Sequence, residues 1–187
     1  MLILNGIEQG LNDTEIEEIQ TDVNDLLSHI ASGARWLGST AGASPGLCTS
    51  LTPWVLTSSA TGGTFGTAAE IFDGAEDFCF PQTSDHFHPH KVFVTAASVD
   101  DHLWKLRFAN SGFNGTDHTY ADMAAAVAAK KYTEVVMQID NTRRPSTSLD
   151  FHSGVATTGS KLWCQVTEAD GDEGTISFII GVHAHIH

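Results

Sequence analysis

Apolar residues recur at every second position in four runs of this chain, and that period limits the fold more than anything else in it. On a strand successive side chains point to opposite faces, so a strict apolar–polar alternation describes a ribbon with one buried and one wetted face. Trp104, Leu106 and Phe108 alternate with Lys105 and Arg107, and Thr133, Val135, Met137 and Ile139 with Glu134, Gln138 and Asp140. Leu162, Cys164 and Val166 alternate with Lys161 and Gln165, and the last run puts Ile176, Phe178, Ile180, Val182, Ala184 and Ile186 on one face. Ala169-Asp-Gly-Asp-Glu-Gly174 separates the last two runs, and its turn-forming residues predict a hairpin loop joining them. Asp100 and Asp101 read as another tight turn. One stretch departs from the pattern. An alanine-rich run within residues 120–131, behind a capping box from Thr119 to Asp122, predicts a short helix. The fold class is therefore mainly β: seven or eight short strands with one helical insertion predict an antiparallel, jelly-roll-like sandwich.

A short α-helix is expected to precede this sandwich. Thr14-Glu-Ile-Glu17 has the form of a capping box, and Ile16, Ile19, Val23, Leu26 and Ile30 follow at spacings of three, four, three and four. That is a coiled-coil seam lasting two heptads, with Gly33 as a plausible C-cap. The seam packs either on its own domain or on sister helices, and isoleucine and valine at its core positions favour three strands or more. So short a coil is unstable alone, so a trimer requires the following domain to associate as well. The chain divides into residues 1–35, an N-terminal anchor segment (Leu2, Ile3, Leu4, Ile7) and helix; residues 36–66, a Gly/Ser/Thr-rich connector with edge strands, one of them at Trp54 to Leu56; and residues 67–187, the β-sandwich domain.

Charge narrows the partners. Asp and Glu number 23 against 9 Lys and Arg, a net charge of -14. Such a surface lacks the cations that displace counterions from nucleic-acid phosphates or that dock on anionic lipid. No apolar run approaches the roughly 20 residues a bilayer core requires. The first twenty residues lack the basic and apolar regions of a signal peptide, so synthesis in a cytosol is expected. Cys48, Cys79 and Cys164 are odd in number and lack CxxC spacing, which predicts reduced thiols.

Catalytic motifs are absent. Gly154-Val-Ala-Thr-Thr-Gly-Ser-Lys161 approaches a phosphate loop but inserts Ser160 before the lysine, and a strand pattern follows instead of a helix. The acidic tip Asp170-Gly-Asp-Glu173 lacks the ligand ladder of a calcium loop. Ten histidines remain, six of them in two period-two triplets, His86-Phe-His-Pro-His90 and His183-Ala-His-Ile-His187. Neutral imidazoles at that spacing bind transition metals, so His183, His185 and His187 are candidate ligands if three chains meet on an axis near this strand. The plainer reading is a polar strand face using imidazoles for ordinary hydrogen bonds. Pro89 confines the first triplet to an edge strand or loop. A metal-dependent, cupin-like enzyme built on His86, His88 and His90 is a further alternative. It lacks the glutamate such a site needs, since Lys91-Val-Phe-Val94 offers none and Asp85 is the only adjacent carboxylate. Among four tryptophans, Trp163 lies on the same side as Lys161 and Gln165, which makes it a candidate stacking platform for a receptor or carbohydrate, with burial at an interface as the competing reading.

The second half resembles a family of uncharacterised bacteriophage virion proteins. The resemblance covers residues 80–187 and rests on Phe87-His-Pro-His-Lys-Val-Phe-Val-Thr-Ala-Ala-Ser98, Leu103-Trp-Lys-Leu-Arg107, Ala129-Lys-Lys-Tyr-Thr-Glu134, Gly159-Ser-Lys-Leu-Trp-Cys164 and Thr175-Ile-Ser-Phe-Ile-Ile-Gly-Val-His183. It implies a strand pair, G-x-K-x-W and T-I-x-F-x-x-G-x-H, closing a jelly-roll-like module. It further implies a capsid decoration or fibre protein, commonly a homotrimer docked on capsid or other virion proteins, not an enzyme, and located in the virion after synthesis in the host cytoplasm. No functional residue carries over from it. No cofactor is expected beyond a transition metal at the histidine stripe.

Overall fold

The computed structural model describes residues 17, 19–20, 23, 35–40, 43–47, 51–73, 86–98, 102–111, 120–139, 149–150, 156–157 and 160–185. Its strands are β1 (Arg35–Thr40), β2 (Ala43–Leu47), β3 (Trp54–Thr57), β4 (Ala69–Asp73), β5 (His86–Ala97) and β6 (His102–Asn110), then β7 (Thr133–Ile139), β8 (Leu149–Asp150), β9 (Ala156–Thr157), β10 (Lys161–Glu168) and β11 (Thr175–His185). A short helix, α1 (Met123–Ala128), lies between β6 and β7. The chain is mainly β, and every strand pair among the described residues is antiparallel.

The strands form two sheets. One runs β2-β1-β11-β5-β8, with β3 also on β11 and β9 also on β5; the other runs β4-β10-β6-β7. β1 and β3 share one side of β11 end to end, β1 opposite Ile180 to Val182 and β3 opposite Thr175 to Phe178. The period-two alternation is realised: Trp104, Leu106 and Phe108 are buried, as are Leu162, Cys164 and Val166, and as are Ile176, Phe178, Ile180 and Val182. These faces meet in one core to which both sheets contribute. Phe178 from the first sheet stands edge-on to Phe108 from the second at 6.1 Å and 89°, and tilts against Trp54 at 6.2 Å.

Two expectations are corrected here. β10 and β11 are not a hairpin: β10 pairs with β4 and β6, whereas β11 pairs with β1, β3 and β5. Residues 169–174 therefore cross from one sheet to the other. Turn-forming residues mark where a strand stops, but they do not determine which sheet the next strand joins. The implied pairing of the G-x-K-x-W strand with the T-I-x-F-x-x-G-x-H strand fails for the same reason. Pro89 is not on an edge strand, because β5 is flanked by β11 on one side and by β8 and β9 on the other. A register shift between Gly181 and Val182 sits beside it, and β8 and β9 pair with β5 at positions 91–92 and 86–87, on either side of Pro89. A bulge is a position where a strand tolerates a residue with no N–H to give.

The helix forms where expected but is capped later. Asp122 is its N-cap, and its carboxylate accepts a hydrogen bond from the Ala125 N–H at 2.8 Å. Lys130 closes the other end at φ 58, the left-handed conformation in which a chain leaves a helix. Met123 and Ala126 then cover Trp163 and Ala109 on the outer face of the second sheet, forming a smaller apolar cluster.

At the N-terminus Glu17, Ile19, Gln20 and Val23 are helical and exposed, Ile19 and Val23 each at 48%. Ile16, Leu26 and Ile30 lie outside the described residues, as do Cys48 and Cys79 and the anchor segment. Cys164 is a free, buried thiol, and burial pushes its pKa well above the ordinary value.

Candidate functional site

Polar chemistry gathers at one end of the molecule, where β10 leaves its sheet. The inner-face alternation that buries Leu162, Cys164 and Val166 continues to Glu168, so a carboxylate arrives at the mouth of the core with none of its side chain exposed. A buried carboxylate costs several kcal/mol unless it is paired. His102, at the start of the neighbouring β6, supplies the pairing: its Nδ1 lies 2.8 Å from Glu168 Oε2 and 3.3 Å from Asp170 Oδ2. Both neighbours are carboxylates, so Nδ1 carries a hydrogen and donates. The crossing loop folds back over Glu168, whose Oε2 accepts the Asp170 N–H at 2.8 Å and whose Oε1 accepts the Gly171 N–H.

Gly171 is required by this geometry. Its φ is +88, and a Cβ there would stand 2.8 Å from the Gly62 nitrogen. That contact seats the segment from Ser58 to Gly66 on the loop. Ser58 N–H donates to Gly174 O at 2.8 Å, Gly63 N–H to Glu168 O at 2.9 Å and Gly66 N–H to Val166 O at 2.8 Å.

The electrostatics follow from the contacts. The hydrogen bond to Glu168 raises the His102 pKa above its ordinary 6.5; burial opposes this, and the Asp170 charge adds to it. Burial alone raises Glu168, but the His102 hydrogen bond and the two loop N–H groups outweigh it and hold the carboxyl below its ordinary 4.5. His102, Glu168 and Asp170 place one ligand atom each within 4.8 Å of one another, the spacing of a metal-binding set. In this arrangement His102 Nδ1 donates toward the two carboxylates and Glu168 accepts three hydrogen bonds. The set acts as a clasp that ties the crossing loop to β6. Sequence reading singled out Asp170 only as a loop tip and passed over His102 and Glu168, which lie 66 residues apart and share no local motif.

Two positions of each histidine triplet are paired in register, which neither triplet reveals by itself. β5 and β11 are neighbours, and their register opposes His88 to His183 and His86 to His185. His88 and His90 are half-buried. His187 lies outside the described residues.

Trp163 is 6% exposed beneath α1. It also lines a shallow groove of about 440 Å³ with Glu70, Asp122 and Met123. Of the other tryptophans, Trp54 and Trp104 are buried in the main core, and Trp36 is half-buried with its ring edge-on to Phe93 at 6.4 Å. A wider groove of about 570 Å³ between β3 and residues 65–69 has Glu173 as its sole ionisable lining residue. Cations on the second sheet are held in place. Arg107 lies 3.8 Å over the Phe65 ring and 4.5 Å from Tyr132, and donates twice to Glu134 Oε1 at 2.8 and 2.7 Å. No helix among the described residues is long and apolar enough to cross a membrane. Comparison with family models, with curated proteins and with solved structures found no match.

Proposed function

We propose that this chain is a structural virion protein, a homotrimeric capsid decoration or fibre subunit that docks on capsid or other virion proteins and is not an enzyme. The observation that carries the reading is the strand order. From β3 onward, β3-β11-β5-β8 make one sheet and β4-β10-β6-β7 the other. Apart from the neighbouring pairs β6–β7 and β8–β9, successive strands from β3 onward change sheet, an order that supports reading the fold as a jelly roll, an architecture of viral capsid domains, lectins and cupins. Within that group the site chemistry favours a structural role. The polar cluster at the loop end holds the crossing loop against β6, and Trp163 is covered by the helix above it.

Two features support self-association. Ile19 and Val23 of the N-terminal seam are helical and half exposed, the state of coiled-coil residues in a chain without its partners. Leu51 and Val55, at 67% and 64% exposure, add apolar surface beside β3. A net charge of -14 keeps a densely displayed shell component soluble. Equilibrium sedimentation of the full chain at micromolar concentration tests the assembly. A mass three times 20.0 kDa is expected, and Ile19→Asp with Val23→Asp lowers it to the single-chain value. A monomeric wild type refutes the reading.

A further inference from the structure

We propose that His102, Glu168 and Asp170 form a three-ligand site for a divalent transition metal of the zinc type. The site goes beyond the virion reading and stands apart from the trimer, because all three ligands belong to one chain.

Register brings the ligands together. Trp104 opposes Glu168, and Ala169 N–H donates to Leu103 O at 3.0 Å, which carries the β6–β10 ladder one residue past the end of β10. In that phase position 170 comes opposite His102. Residues 102 and 104 on one strand, and 168 and 170 on the other, therefore share the inward face.

The side chains converge as the backbone requires. His102 Nδ1 lies 2.8 Å from Glu168 Oε2 and 3.3 Å from Asp170 Oδ2, and one ligand atom of each lies within 4.8 Å of the others. Zinc bonds of about 2.0–2.2 Å at tetrahedral angles hold ligand atoms about 3.3–3.6 Å apart. Asp170 already stands at that spacing, and the Glu168 oxygen reaches it by opening about half an ångström. On binding, Nδ1 turns its lone pair to the metal and Nε2 carries the ring's one hydrogen. The Asp170 and Gly171 N–H groups go on donating to Glu168, which is the support that ligating carboxylates receive. One nitrogen and two carboxylate oxygens leave a fourth position for water.

Trp104 adds an independent observation. It is fully buried directly opposite Glu168, and its indole Nε1 has no hydrogen-bond partner among the described residues. A buried N–H that no protein acceptor satisfies marks a place for a water or ion oxygen. Asp172 and Glu173, exposed on the same loop, draw a dication toward this end of the molecule.

Titration calorimetry of Zn²⁺ into the untagged full chain tests the site, and about one Zn²⁺ bound there per chain is expected. Asp170→Asn alters an exposed side chain, yet it weakens binding by more than the roughly 10–100-fold that loss of a mere supporting partner costs. Asp172→Asn on the same loop changes binding by less than about fivefold, the scale of an exposed charge. His183→Gln with His185→Gln leaves it in place. A wild type that binds no zinc overturns the site, as does an Asp170→Asn chain that binds as well as wild type, or binding that disappears with the two β11 histidines. X-ray absorption at the zinc edge of the wild type needs no variant: one imidazole with oxygen ligands upholds the site, and any other shell overturns it. Zinc held in this way by a monomer refutes the trimer alone, and a trimer without zinc refutes this site alone.

Discussion

Glu168 is the residue on which the loop end of the molecule turns. Its carboxylate has no exposed surface, and its three donors come from β6 and from the loop it anchors. Glu168→Gln supplies one acceptor oxygen where the carboxylate has two, and sets an amide N–H against a donor. The expected cost is about 1–3 kcal/mol in urea unfolding at pH 6. The pH profile separates this from a simple packing loss. The folded pKa of His102 lies above 6.5, so its contribution is complete below that pH and is lost as pH rises through the raised value. The folded pKa of Glu168 lies below 4.5, so its contribution is complete above that pH and is lost as pH falls through the lowered value. The gap between wild type and variant should peak between these limits and shrink on both sides. A constant gap from pH 4 to 9 would contradict the clasp.

At the level of elements, β10 shows how an alternating pattern can be correct yet incomplete. Leu162, Cys164 and Val166 enter the main core, as the alternation requires. Trp163 lies on the opposite face, where the pattern expects water, but Met123 and Ala126 of α1 cover it. The helix is only Met123–Ala128, too short to persist without such a contact. Trp163→Ala should therefore act as a core truncation, costing about 3–5 kcal/mol in chemical denaturation. A cost below about 0.5 kcal/mol, the scale of an ordinary surface change, would restore the stacking-platform reading. The same element illustrates the limit of turn signals. Residues 169–174 were legible as a turn, but their destination in the opposite sheet was not.

For the molecule as a whole, stability rests on the contact between sheets. Phe178 touches both Phe108 across the core and Trp54 within its own sheet. Phe178→Ala removes both at once, and the expected loss is about 3–5 kcal/mol with unfolding still a single transition. Val55→Ala, at a position 64% exposed in the same sheet, should change stability by no more than about 0.5 kcal/mol. Equal losses at the two sites would mean that the shared core is not what holds the sheets together.

The sequence by itself determined the four alternating strands β6, β7, β10 and β11 with their buried faces, the short helix and the strong negative charge. Each of these depends on neighbours within a few residues, so side-chain period, propensity and counting suffice. Only the tertiary structure decided which sheet each strand joined, that His102 meets Glu168, that Trp163 is roofed by α1, and that a bulge sets His88 against His183. Those facts depend on register and crossings between segments up to about a hundred residues apart. No local periodicity encodes them, because a shift of one residue leaves the pattern of each strand unchanged while replacing every partner across it.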